Sequence, residues 1–77
     1  LHRWFDFCAS TPVMRTHEGN RPDDNLQIDS TAELLAHFAL MTRLHAALAP
    51  YVRAAGAEAG TTGLPLMRAL FLHYPDD

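Results

Sequence analysis

Pro12-Val13-Met14-Arg15 and Pro65-Leu66-Met67-Arg68 stand near opposite ends of the chain, with a long helical pattern between them. Each segment is short and apolar, opens on a proline and closes on an arginine. Two parallel strands joined by a crossover helix have this form. The residues after the first copy, Thr16-His17-Glu18-Gly19-Asn20-Arg21-Pro22, are polar. In α/β folds the loop leaving the C-terminal end of a strand is where binding sites gather. The near-repeat therefore bears on fold and function together.

The flanking pattern fits. Leu1, Trp4, Phe5 and Cys8 fall near helical spacing, so the chain opens on the last turns of a helix. Ser10-Thr11-Pro12 ends it, because a proline bars the residue before it from the α region. Val13 to Thr16 is the first expected strand. His17 to Asp29 is a long polar loop of the kind that is functional or disordered. Ser30-Thr31-Ala32-Glu33 matches a capping box, with Ser30 as the expected cap. Leu34, Phe38, Met41, His45 and Leu48 then line one face of an amphipathic helix. Pro50 removes a helical hydrogen bond and predicts a kinked or two-part helix through Ala59, with Gly60 and Gly63 at its end. Leu64 to Leu72, apolar except for Arg68, is the second expected strand. The order is αβαβ, a slice of a parallel α/β domain, and barrel and doubly wound sheet remain equal at this point.

A chain of 77 residues is at most one small domain. A lone βαβ unit leaves its strand faces uncovered, so residues 1–77 are expected to be part of a larger domain rather than a complete one. The net charge is −3, and all six basic residues are arginines. That balance argues against nucleic acid as a partner, which calls for clustered basic charge. No apolar run approaches the roughly 20 residues of a membrane span, so no membrane partner is expected. No signal peptide is visible, and a cytoplasmic location is the expectation. The single cysteine, Cys8, permits no internal disulfide.

Arg15-Thr16-His17-Glu18 is the best candidate for chemistry. Alternation along a strand sends Arg15 and His17 to the same side, where both can donate hydrogen bonds to hydroxyls or an anion. The competing reading is an Arg15 ion pair under the loop and an ordinary loop histidine. Asp23-Asp24-Asn25 reads as a solvated turn rather than as paired catalytic carboxylates. His2, His37, His45 and His73 lack metal-ligand spacing, and no metal or other cofactor is expected. Trp4, Phe5 and Phe7 read as core before they read as a sugar platform. Cys8 reads as a buried, inert thiol. Arg68, within an apolar strand, needs a partner and reads as half of a structural ion pair.

Arg3-Trp4-Phe5-Asp6, Thr11 to Pro22, Leu48-Ala49-Pro50-Tyr51 and Gly63 to Phe71, closing on Tyr74-Pro75-Asp76-Asp77, together resemble glycoside hydrolase family 31. The four blocks fall in the family's order across nearly the whole chain. Thr16-His17-Glu18-Gly19-Asn20-Arg21-Pro22 with Asp24-Asn25 is most similar to the family's bacterial sulfoquinovosidase-like branch. The resemblance implies a fragment of a (β/α)8 TIM barrel, comprising strand 7, its crossover helix and strand 8. It implies a retaining α-glycosidase, α-glucosidase or sulfoquinovosidase-like, acting on a carbohydrate substrate. Such enzymes use two carboxyl groups about 5 Å apart. Both aspartates belong to motifs outside these residues, so no residue here is expected to be catalytic, and the fragment alone should be inactive.

Substrate binding falls to His17, whose family counterpart hydrogen-bonds hydroxyls of the sugar being cleaved, and to Arg15 in support, pairing with a carboxylate. Arg3-Trp4 and Pro50-Tyr51 match structural features of the family. Ser10 departs from it, standing where an aromatic residue is common. The resemblance does not choose among glucoside, xyloside and sulfoquinovoside. The alternative reading is a small non-catalytic α/β or helical interaction module.

Overall fold

A computed structural model describes residues 1–77. It contains three α-helices and no strand: α1 is His2–Ala9, α2 is Ala32–Ala47 and α3 is Ala49–Thr62, followed by a single 3-10 turn at Leu70–Leu72. The strand–helix–strand piece of a TIM barrel expected from the sequence is therefore absent. Val13 to Glu18 is irregular and takes part in no backbone–backbone hydrogen bond. Leu64 to Leu72 is irregular as far as the 3-10 turn. The physical reason is that a strand is defined by its neighbour. Neither apolar run lies beside a segment that would complete a ladder.

The helices arise from local signals. α1 ends where Ser10 Oγ and Thr11 Oγ1 donate to the carbonyls of Phe7 and Cys8, at 2.8 and 2.7 Å, and so satisfy acceptors left open by the last turn. α2 starts one residue later than the capping box predicts. Thr31 is the cap, its Oγ1 accepting from the Leu34 N–H at 3.1 Å. Ser30 Oγ instead accepts from the Gln27 N–H at 2.7 Å and closes the preceding turn. α2 and α3 meet at Leu48, just before Pro50, which sits in the first turn of α3 where its missing N–H costs nothing. The two-part helix expected from Pro50 is observed. Gly63 ends α3 at φ 76°, a left-handed conformation natural to glycine.

Helices of 16 and 14 residues set end to end, at about 1.5 Å per residue, account for the 46 Å long axis. The radius of gyration is 15.9 Å, against about 11 Å for a compact chain of this length. Only Phe5, Ala9 and Leu34 are buried. They lie where α1 packs along α2, and Phe5 meets Phe38 edge-on with ring centroids 5.0 Å apart. Phe38, Met41, His45 and Leu48 are half-buried, so the face expected of α2 is the face it uses. Leu35, Leu40 and Leu44 are exposed on its other sides.

Two histidines of α2 hold α1 in place. His37 Nε2 lies 2.7 Å from Asp6 Oδ1, and its ring stacks on His2 at 4.5 Å. His45 Nδ1 donates to the Ala9 carbonyl at 3.1 Å. Arg68 pairs with Glu58 of α3, Nη2 to Oε2 3.1 Å, which is the structural ion pair expected of it. Its Nη1 is buried and has no partner.

Candidate functional site

A cleft of about 310 Å³ opens between α1, the segment after Pro12 and the end of the polar loop. Trp4 and Cys8 supply one wall, Arg15 and His17 another, and Gln27 with Phe38 a third. The two residues expected to bind a ligand are thus brought to the same cavity, but by an irregular segment rather than by strand alternation. Trp4, expected in the core, is 61% exposed, and Phe7 is also exposed; of the three aromatic residues only Phe5 is buried. Cys8 is half-buried at the cleft wall, not sealed inside.

Among residues 1–77 Arg15 has no carboxylate within ion-pair distance. Its guanidinium is a free cation beside the cleft, with five donors in a planar fork. His17 is more constrained. Its Nδ1 accepts a hydrogen bond from the Gly19 N–H at 3.0 Å. An acceptor nitrogen in a neutral imidazole carries no proton, so the proton sits on Nε2. His17 therefore offers a ligand one donor rather than the donor–acceptor pair that both free nitrogens would give. Gly19 reaches this position at φ 79°, where an added Cβ would be strained and would lie 3.3 Å from the Asn25 side-chain nitrogen.

The loop beyond is a solvated turn. The N–H groups of Asp24 and Asn25 both donate to the Arg21 carbonyl at 3.1 Å, and Arg21 and Asp24 approach to 4.0 Å in solvent. Asp23 and Asp24 do not enter the cleft lining. The residue that sequence reasoning missed is Gln27. Its partners are backbone carbonyls, which leave no mark in a sequence. The one available signal was a lone polar residue between Leu26 and Ile28 at the end of the loop. No three His, Cys, Asp or Glu side chains converge in a way that would hold a metal ion. No helix is long and apolar enough to cross a membrane.

The sequence around this cleft has known counterparts. All 77 residues align with sulfoquinovosidases. The identity is 61% to the protein of Agrobacterium fabrum and 60% to that of Escherichia coli K12. The chain spans only 12% and 11% of the length of those two relatives. An isomaltosyltransferase of Sporosarcina globispora is 28% identical over 94% of the chain, again across a small part, 8%, of its own length. No family model matches the sequence.

Proposed function

We propose that these residues are one segment of a retaining α-glycosidase of glycoside hydrolase family 31, of the sulfoquinovosidase kind, and that His17 and Arg15 bind its sugar. The observation that carries this reading is the identity of about 60% to two sulfoquinovosidases over every residue of the chain. The more distant match to an isomaltosyltransferase suggests that the segment serves a step common to several glycosyl-transferring enzymes rather than the choice of sugar.

The chemistry assigned to the segment is modest. Bond cleavage needs two carboxylates, placed outside these residues. His17 donates through Nε2 to a hydroxyl of the sugar in the subsite that is cleaved, and Arg15 adds a second donor from the same side of the cleft. Such bonds speed the reaction to the extent that they tighten as the ring takes on oxocarbenium character. A self-standing interaction module, the alternative, would rest on three buried side chains, too few to repay the ordering of 77 residues.

The test is hydrolysis by the full-length polypeptide that contains these residues. It is offered a sulfoquinovoside, an α-glucoside and an α-xyloside in parallel. The proposal expects release of sulfoquinovose at a kcat/KM well above that for the other two. Turnover of the neutral glycosides alone would defeat the sulfoquinovosidase assignment, and turnover of none would defeat the glycosidase reading.

A further inference from the structure

One peptide group in the polar loop is gripped from both sides. The Glu18–Gly19 peptide donates its N–H to Nδ1 of His17 at 3.0 Å, and its carbonyl oxygen accepts from Nε2 of Gln27 at 3.3 Å. No peptide bond in the chain is cis, so the N–H and C=O of this unit point in opposite directions. The result is a relay running from the Gln27 amide through one peptide plane to the His17 imidazole. The Gln27 side-chain nitrogen also lies 3.4 Å from the carbonyl oxygens of Pro22 and Asn25. Three surrounding acceptors fix which end of the amide is the NH2, since the oxygen end would face three like dipoles. The bonds are long and individually weak. Together they gather residues 18, 22 and 25 around one half-buried side chain that also lines the cleft.

We infer that Gln27 is a positioning residue for His17: by holding the Glu18–Gly19 peptide it keeps an N–H on Nδ1, locks the imidazole in its Nε2–H form and turns it into a dedicated donor. This rests on the reading of His17 as a sugar-binding residue. Without the Gln27 amide the peptide plane is free to rotate, because Gly19 has access to both signs of φ. A rotated peptide turns its carbonyl toward the ring, and an oxygen facing Nδ1 calls for a proton there. The ring would then present an acceptor to the cleft in place of a donor. Hydrogen bonds in series polarise one another, so the intact relay also strengthens the bond at its His17 end.

The experiment uses the full-length polypeptide, 15N-labelled at histidine, and its Gln27→Leu and Gln27→Glu variants, each alone and combined with His17→Ala. The glutamate keeps the shape of the side chain and removes its donors, so it serves where the leucine variant folds poorly. Long-range 1H–15N spectra of the parent should show His17 protonated at Nε2 alone, and each Gln27 variant should populate the Nδ1–H form. Sulfoquinovoside kcat/KM should fall about tenfold on changing Gln27, and by less than about twofold once His17 is alanine, since residues acting through one another are not additive. An unchanged tautomer, or a Gln27 effect of equal size with and without His17, would overturn the positioning role while leaving His17 as a binding residue. Full activity of His17→Ala would instead overturn the reading of the site on which the inference rests.

Discussion

Residues 12–15 and 65–68 are spelled almost alike and end in different physical settings. The first segment continues into His17 and the polar loop, leaves Arg15 without a carboxylate, and borders the cleft against α1 and α2. The second leads to exposed Leu70 and Phe71, and its arginine is committed to Glu58. The halves of the molecule differ in the same sense. Every buried residue lies between Phe5 and Leu34, and α3 and the segment after it bury none. A short motif therefore carries no function of its own. What differs is the surroundings: Met14 and Arg15 of the first copy border the 310 Å³ cleft, whereas Leu66 and Met67 of the second border only a small apolar gap of about 30 Å³ against α3.

The comparison is broken most directly at its packing. In the full-length polypeptide Phe5→Ala should loosen α1 from α2. Truncating a buried phenylalanine costs about 3–5 kcal/mol, comparable to all that three buried side chains supply. Phe71→Ala, at a residue 67% exposed, should change protection by no more than about 0.5 kcal/mol. Amide hydrogen exchange in α1 reads both. Equal effects would mean that the two halves are not organised differently. Next in size is the sugar contact proposed for His17. In the full-length polypeptide His17→Ala should cost about 2–4 kcal/mol in kcat/KM, as expected for losing a donor that acts at the transition state. Smaller again is the start of α2. Thr31→Ala should cost about 1 kcal/mol of helix stability by circular dichroism, and Ser30→Ala clearly less. The reverse order would restore Ser30 as the cap. Comparably small is Arg68→Met in the full-length polypeptide: it leaves the half-exposed Glu58 to water and removes a buried guanidinium nitrogen that has no partner, so it should cost about 1 kcal/mol or less in thermal unfolding.

What the sequence revealed followed from local chemistry. The helical face of α2, the break near Pro50, the left-handed stop at Gly63 and the solvated turn at Asp23–Asp24 each depend on residues a few positions apart. The cap was misplaced by one residue because Ser30 and Thr31 are chemically equivalent candidates, and Gln27 claims the first of them. The strands failed for a deeper reason. An apolar run such as Leu64 to Leu72 states that a segment is apolar, and only a neighbouring segment can make it a strand. The clamps of α1 were equally hidden, since Asp6 and His37 are 31 positions apart and share no spacing rule. At the cleft, His17 and Arg15 were singled out through resemblance and strand-end reasoning, and both line it. The tautomer of His17 was not legible, because a backbone N–H from Gly19 fixes it.

The central claim is that only the first of the two similar segments contacts sugar. The decisive measurement is kcat/KM for a sulfoquinovoside in the full-length polypeptide, with His17→Ala and Arg68→Met assayed beside the parent. The account predicts a loss of roughly 30- to 900-fold for His17→Ala, the equivalent of about 2–4 kcal/mol. For Arg68→Met it predicts a change of less than about fivefold, in keeping with an arginine that is committed to Glu58 and does not line the cleft. Parent-like activity in His17→Ala, or equal losses in the two variants, would contradict it.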